Sequence, residues 1–263
     1  MGMKTIVVTV FALTLAMLPI AGCGDAGQPT VQQLIVQLAD PEMRVRRSAA
    51  IRLAEIGPQA AAAVDALIPC LEDVSPTVRY RSTRALRAIG PAATAATPTL
   101  MRLLLVPGDR HPPAPELAQA LVTIGGPSPE ILSTLRESLA NKHLSPDAFC
   151  RAAQELGEAA QPLLPELRRL FDGRESWVAG HAMMAMGPAA ADAVPDFVRA
   201  ITTSTGSVDP SAEDWDTFKV VAIAALREIG PLASEAIPAL EREAASGNGE
   251  ARLALEHIRG EVR

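Results

Sequence analysis

Four histidines, three cysteines and thirty acidic residues are the side chains of this 263-residue chain that could hold a metal, attack a carbonyl or move a proton. Their spacing supports none of these. His111, His143, His181 and His257 never stand four apart and none belongs to an HExxH motif, so no helix face offers a zinc pair. His181, in GHAMMAMG, reads as a packed or partly exposed helix residue, with Met183, Met184 and Met186 as core filler. Asp209, Glu213, Asp214 and Asp216 in DPSAEDWD lack the close alternation and turn glycine of a calcium loop, which leaves a solvated acidic loop. There is no GxSxG, phosphate-cradling loop or dinucleotide fingerprint. The expectation is a protein that is not an enzyme and carries no cofactor or metal.

Cys23 is the one cysteine with a reactive context. Lys4 precedes an apolar run from Thr5 to Ile20, then small residues and the cysteine. This is the layout of a secretory signal, and the run is short for a membrane span. An ordinary signal peptide or an uncleaved anchor helix would share that layout. The segment Ile20-Ala21-Gly22-Cys23 resembles the lipobox of bacterial lipoproteins. The resemblance implies a signal peptide over 1–22, lipidation of Cys23, a tether over 23–29 and a folded domain over 30–263. Cleavage would remove Lys4 and leave 23 basic against 30 acidic residues. At roughly 3.5 Å per residue the tether reaches at most ~25 Å, which would hold the domain at the cell envelope, lipid-anchored to a bacterial membrane outside the cytoplasm.

The elements that position these residues are repeats. Gly57, Gly90, Gly125, Gly157, Gly187 and Gly230 each close an apolar helical pattern, at spacings of 33, 35, 32, 30 and 43. A period near one helix–turn–helix unit predicts an all-α array. Aromatics are only 3%, so the core must be built from Ala, Leu, Ile and Val, which suits helices better than a β-sandwich. Glycine ends each first helix through a left-handed cap, and Pro58, Pro91, Pro188 and Pro231 forbid its continuation. Pro98, Pro165, Pro195 and Pro238, eight residues past their glycines, start or kink the second helix; Asp65 takes that place in the first unit. Arg46 and Arg79 lie eleven residues before their glycines, and Lys219 takes that place in unit six. Half-units at TVQQLIVQLAD and EARLALEHIRG predict end caps.

The skeleton VR…A…L..IGP.A..A.P.L resembles HEAT repeats, in particular the bacterial type of phycobilisome-lyase-like proteins. The resemblance spans about Thr30 to Arg259, strongly in units one, two and six and less in three to five. It implies one α-solenoid, a superhelix of about six repeats whose second helices line a concave binding surface. HEAT-like hydroxylases hold iron with His-Glu dipeptides, and no histidine here is followed by Glu. Cys70 and Cys150 fall three units apart, beyond disulfide reach, and read as buried apolar residues.

The implied function is a membrane-tethered scaffold for a protein or peptide partner, with the membrane reached through Cys23. The alternatives are an enzyme or enzyme subunit of the chromophore-lyase type, against which the export signal argues, and a purely structural envelope protein. A net charge of −6 excludes nucleic acid as partner. Expected polar positions on the second helices include Arg102, Glu166, Arg169, Asp196, Arg199, Glu241 and Arg242. Polar insertions at 106–116 and 202–217 are expected on one edge of the array. They are either tolerated surface loops or a binding side, with Trp215 between Asp214 and Asp216 as an exposed anchor or packed on its neighbour.

Overall fold

A computed structural model describes residues 29–106, 111–172, 176–203 and 214–260, without the side chains of 176 and 214–217. The chain divides into Met1–Thr30, of which only Pro29 and Thr30 are described, and Val31–Arg263. The second unit is an all-α HEAT-type array. Its helices are α1 (Val31–Gln37), α2 (Met43–Ile56), α3 (Val64–Cys70), α4 (Pro76–Ile89), α5 (Thr97–Leu105), α6 (Ala114–Gly125) and α7 (Pro129–Ala140). They continue as α8 (Pro146–Leu156), α9 (Leu164–Phe171), α10 (Ser176–Ala185), α11 (Val194–Thr203), α12 (Asp214–Ile229), α13 (Ile237–Ala245) and α14 (Gly249–Arg259). The even-numbered helices are the first helices of their units, and each packs against the next from α2 to α14. The end half-units are present as α1 and α14. No described helix is long and apolar enough to cross a membrane.

Five units share one joint. A first helix ends, a seven-residue 3₁₀ segment begins at the glycine, and the second helix starts seven residues after it, at Val64, Thr97, Leu164, Val194 and Ile237. The proline or Asp65 therefore occupies the second helical place, where a missing N–H costs nothing. Burial repeats in step: Ala60, Ala93, Ala160, Ala190 and Ala233 are fully buried, as are Leu67, Leu100, Leu167, Phe197 and Leu240 seven residues later. Small residues serve the joint because neighbouring 3₁₀ segments lie against each other.

The glycine geometry differs from the expected left-handed cap. Gly57 and Gly90 have φ/ψ of 65/−134° and 73/−144°, outside the αL well that Asn or Asp can share. Only glycine enters this region cheaply, and it turns the chain straight into the 3₁₀ segment. Unit three departs further. There α6 runs through Gly125, and Gly126 takes φ 62° instead. Gly125 is held by space: a Cβ would lie 2.4 Å from Ile131 Cδ1. The 3₁₀ segment is missing, and Ser128 caps α7 by accepting from the Ile131 N–H.

Candidate functional site

The second helices carry a row of arginines twelve residues past the turn glycine: Arg102, Arg169, Arg199 and Arg242. Two of them reach back to the acid fifteen residues past the previous unit's glycine. Arg102 pairs with Glu72, and Arg199 with Asp172, both at 2.5 Å. Arg242 faces no such acid, because Thr202 stands there, and its Nε donates to the Pro238 carbonyl at 3.2 Å. Arg169 is exposed and makes no ion pair among the described residues. Asp196, expected at the surface, is buried and is held by Arg168 at 2.5 Å and Arg199 at 3.0 Å. Glu166 pairs with Arg136 at 3.2 Å, and Glu241 with Arg259. Most of the charges expected to await a partner are thus engaged between neighbouring helices.

The arginines in the first turn of the first helices reach the links between units. Arg46 donates to both Asp73 oxygens at 2.8 and 2.9 Å and to the Asp40 carbonyl at 2.9 Å. Arg79, one unit on, donates to the Asp73 carbonyl at 2.9 Å. Lys219 stands at the same offset in unit six but pairs inside its own unit, 3.0 Å from Glu243 on α13. Burial pushes the Asp73 carboxyl up, but the Arg46 hydrogen bonds, the Ser75 N–H and the nearby guanidinium of Arg79 outweigh it and hold the group below the ordinary carboxylate range.

A groove of about 290 Å³ opens between α4 and α6, lined by Tyr80, Thr83, Arg84, Arg87, Glu116 and Gln119. The guanidiniums of Arg81 and Arg84 lie 5.5 and 5.9 Å from the Tyr80 ring centre, a cation–π arrangement. Arg87 is fixed across three units: it donates to Gln119 at 2.6 Å and Thr123 at 3.2 Å and pairs with Glu155 at 3.3 Å. Arg84 is exposed, and Arg81 buries its Nε without a hydrogen-bond partner. None of these residues was singled out from the sequence. The available signal was the crowding of arginine into VRYRSTRALR, which a repeat reading treats as the outer face of an amphipathic helix.

Cys70 and Cys150 are buried free thiols, and burial raises the Cys70 thiol above its ordinary value. No group of three His, Cys, Asp or Glu able to hold a metal occurs among the described residues. His181 stacks edge-on against Trp177, 5.7 Å away, and Trp177 is half-exposed on α10. Asp214, Trp215 and Asp216 belong to the first turn of α12 rather than to a loop, and their side chains lie outside the described residues, as does Cys23. Of the expected insertions at 106–116 and 202–217, residues 107–110 and 204–213 lie outside the described residues too.

Comparison with known proteins gives the fold a context. Residues 24–111 match the family described as HEAT repeats. No curated protein matches the chain. Among solved structures, an engineered protein is 18% identical over 87% of this chain and 67% of its own, with a TM-score of 0.55. The complex of CpcE and CpcF of phycocyanin lyase from Nostoc sp. PCC7120 is 20% identical over 93% of this chain and 99% of its own, with a TM-score of 0.49. These likenesses are of fold. The expectation of a protein that is not an enzyme is withdrawn: neither a fold nor a missing motif excludes an activity, and a lyase complex is among the matches.

Proposed function

We propose that the chain is a protein-binding HEAT array, held at a bacterial cell envelope by lipid on Cys23. The observation that carries the binding reading is the continuity of the two helix rows, which share one apolar core and are pinned between units by Arg46–Asp73, Arg87–Glu155 and Arg168–Asp196. Such a stack offers a long, preorganised surface, the property solenoids use for proteins and peptides. A second reading is a subunit of a lyase-type enzyme, which the name of the CpcE–CpcF complex suggests. The deciding experiment is cross-linking in the native cell followed by purification. A stoichiometric protein partner supports the array as a binder. A pigment bound to the purified chain moves the assignment to the lyase type. No specific partner of either kind rejects both. For the anchor, wild-type protein should incorporate labelled fatty acid and Cys23→Ser should not; unlabelled wild type would end the lipid-anchor reading.

A further inference from the structure

The first helices of units one and two are charged out of keeping with the rest of the chain. α2 and α4 carry Arg44, Arg46, Arg47, Arg52, Arg79, Arg81, Arg84 and Arg87 against the single acid Glu55. The whole chain has a net charge of −6. Three of these cations are committed to structure or to neighbours: Arg46 to Asp73, Arg79 to the Asp73 carbonyl, Arg87 to Glu155. Arg44, Arg47 and Arg84 are exposed and make no ion pair among the described residues. Arg47 holds in α2 the register position that Tyr80 holds in α4, 33 residues on, so the basic face continues from one unit to the next. Like charges side by side on packed helices repel, and the acids that pair with this face, Asp73 and Glu155, engage Arg46 and Arg87 and leave Arg44, Arg47 and Arg84 without an ion pair among the described residues.

We infer that this face, centred on the groove between α4 and α6, docks an acidic segment of a partner protein. The inference rests on the protein-binding reading and names the chemistry of what is bound. A guanidinium fork suits a carboxylate, and Arg84 presents one at the groove mouth beside the fixed Arg87. Tyr80 supplies an aromatic floor already polarised by two cations. The opposite wall is Glu116 and Gln119. That wall separates the candidate ligands. A peptide can turn backbone N–H groups toward Glu116 while its carboxylates face the arginines. A sheet of lipid phosphates or a nucleic-acid backbone offers only acceptors there and would meet the Glu116 charge. The overall negative charge also opposes a polyanion at long range, while a short acidic segment feels mainly the local patch.

The test uses the full chain and a fluorescein-labelled dodecapeptide of alternating Glu and Ala, read by anisotropy, with a Gln-for-Glu peptide as comparison. The Glu peptide should bind at least about tenfold more tightly than the Gln peptide and weaken as salt rises. Arg84→Glu, at an exposed position, should cost about tenfold or more with unchanged helix content and melting, and Arg47→Glu should weaken binding in the same direction. Arg169→Glu and Arg242→Glu, on the second helices, should leave it within about twofold. Equal binding of the two peptides, or no effect of Arg84→Glu, overturns the inference. So does binding to phosphatidylglycerol vesicles, or to a DNA duplex, that excess Glu peptide fails to displace. A native partner captured equally by wild type and Arg84→Glu overturns this face while the protein-binding reading stands. A wild type that captures no partner from the native cell removes that reading, and the peptide titration still decides what the face binds.

Discussion

Arg46 and Asp73 meet as two forks, with Nε and Nη2 of the guanidinium on the two carboxylate oxygens at 2.8 and 2.9 Å. Their side chains are 12% and 11% exposed, so the pair is part-buried and only partly screened by water. It joins the first helix of unit one to the link between units one and two, which makes it part of the hinge that sets one unit on the next.

The Asp73 carboxyl lies below the ordinary range in the folded state, so its contribution is fully present above the unfolded value of about 3.9. It is lost as pH falls through the folded value. Asp73→Asn should cost roughly 2–3 kcal/mol at neutral pH, just under the range for breaking a fully buried pair. Melting followed from neutral pH into acid should show the wild type losing stability faster than the variant, so that the two curves converge. Parallel curves would mean that the pair does not control the acid limb.

Three glycines separate backbone strain from crowding. Gly90 has φ 73° and open space around a Cβ, so Gly90→Ala should lose roughly 1–3 kcal/mol through the backbone. Gly180 carries no such φ, but a Cβ would lie 2.7 Å from Val221 Cγ1 and 3.1 Å from Phe171, so Gly180→Ala should lose a similar ~1–3 kcal/mol through overpacking. Gly249 has neither constraint at the start of α14, and Gly249→Ala should gain about 0.5 kcal/mol. Chemical unfolding of the three variants checks the order.

Two ion pairs of similar length should differ in worth. A double-mutant cycle on Arg168 and Asp196, whose carboxylate is 7% exposed, should give a coupling of about 1–2 kcal/mol. The same cycle on Arg102 and Glu72, 52% and 50% exposed, should give under about 0.5 kcal/mol and vanish in high salt. Equal couplings would show that burial does not set the strength of these links.

Cys70 and Cys150 should resist thiol reagents in the native protein and react together on unfolding, because both are buried and Cys70 Sγ faces the Ala66 carbonyl at 3.3 Å. Labelling of either at the rate of a free thiol, in a Cys23→Ser background, would show that its unit opens locally.

The period of the array is legible because glycine followed by proline leaves the chain one way to turn, and Gly57, Gly90, Gly187 and Gly230 each open a joint. The start of the second helix was legible for the same reason, from a proline or Asp65 at a constant offset. Gly125 was misread because two adjacent glycines serve different ends: Gly126 turns the backbone, while Gly125 makes room for Ile131. The first turn of α12 is not legible because Asp214, Trp215 and Asp216 carry no apolar period of their own. Site residues were harder. The arginines twelve past the glycine follow from the pattern, but their engagement by Glu72 and Asp172 depends on the offset between units, which a single-unit pattern does not contain. The α4–α6 groove was missed because Tyr80 and its arginines look like the ordinary wet side of a helix.

The two half-units at the ends decide whether the protein is a particle or a thread. Every inner unit presents two apolar sides, and a stack without terminators would accept another copy at either end. α14 closes the last side with a helix whose outward residues include Arg252, Glu256 and His257, and His257 lies over Gly230 within 3.5 Å of where a Cβ would stand. α1 and the turn after it cover the other end by contributing Leu34 and Leu38 to the core. Removing either half-unit would therefore do more than weaken the fold. It would expose a surface shaped to receive its own kind, and the expected product is head-to-tail filaments of this chain.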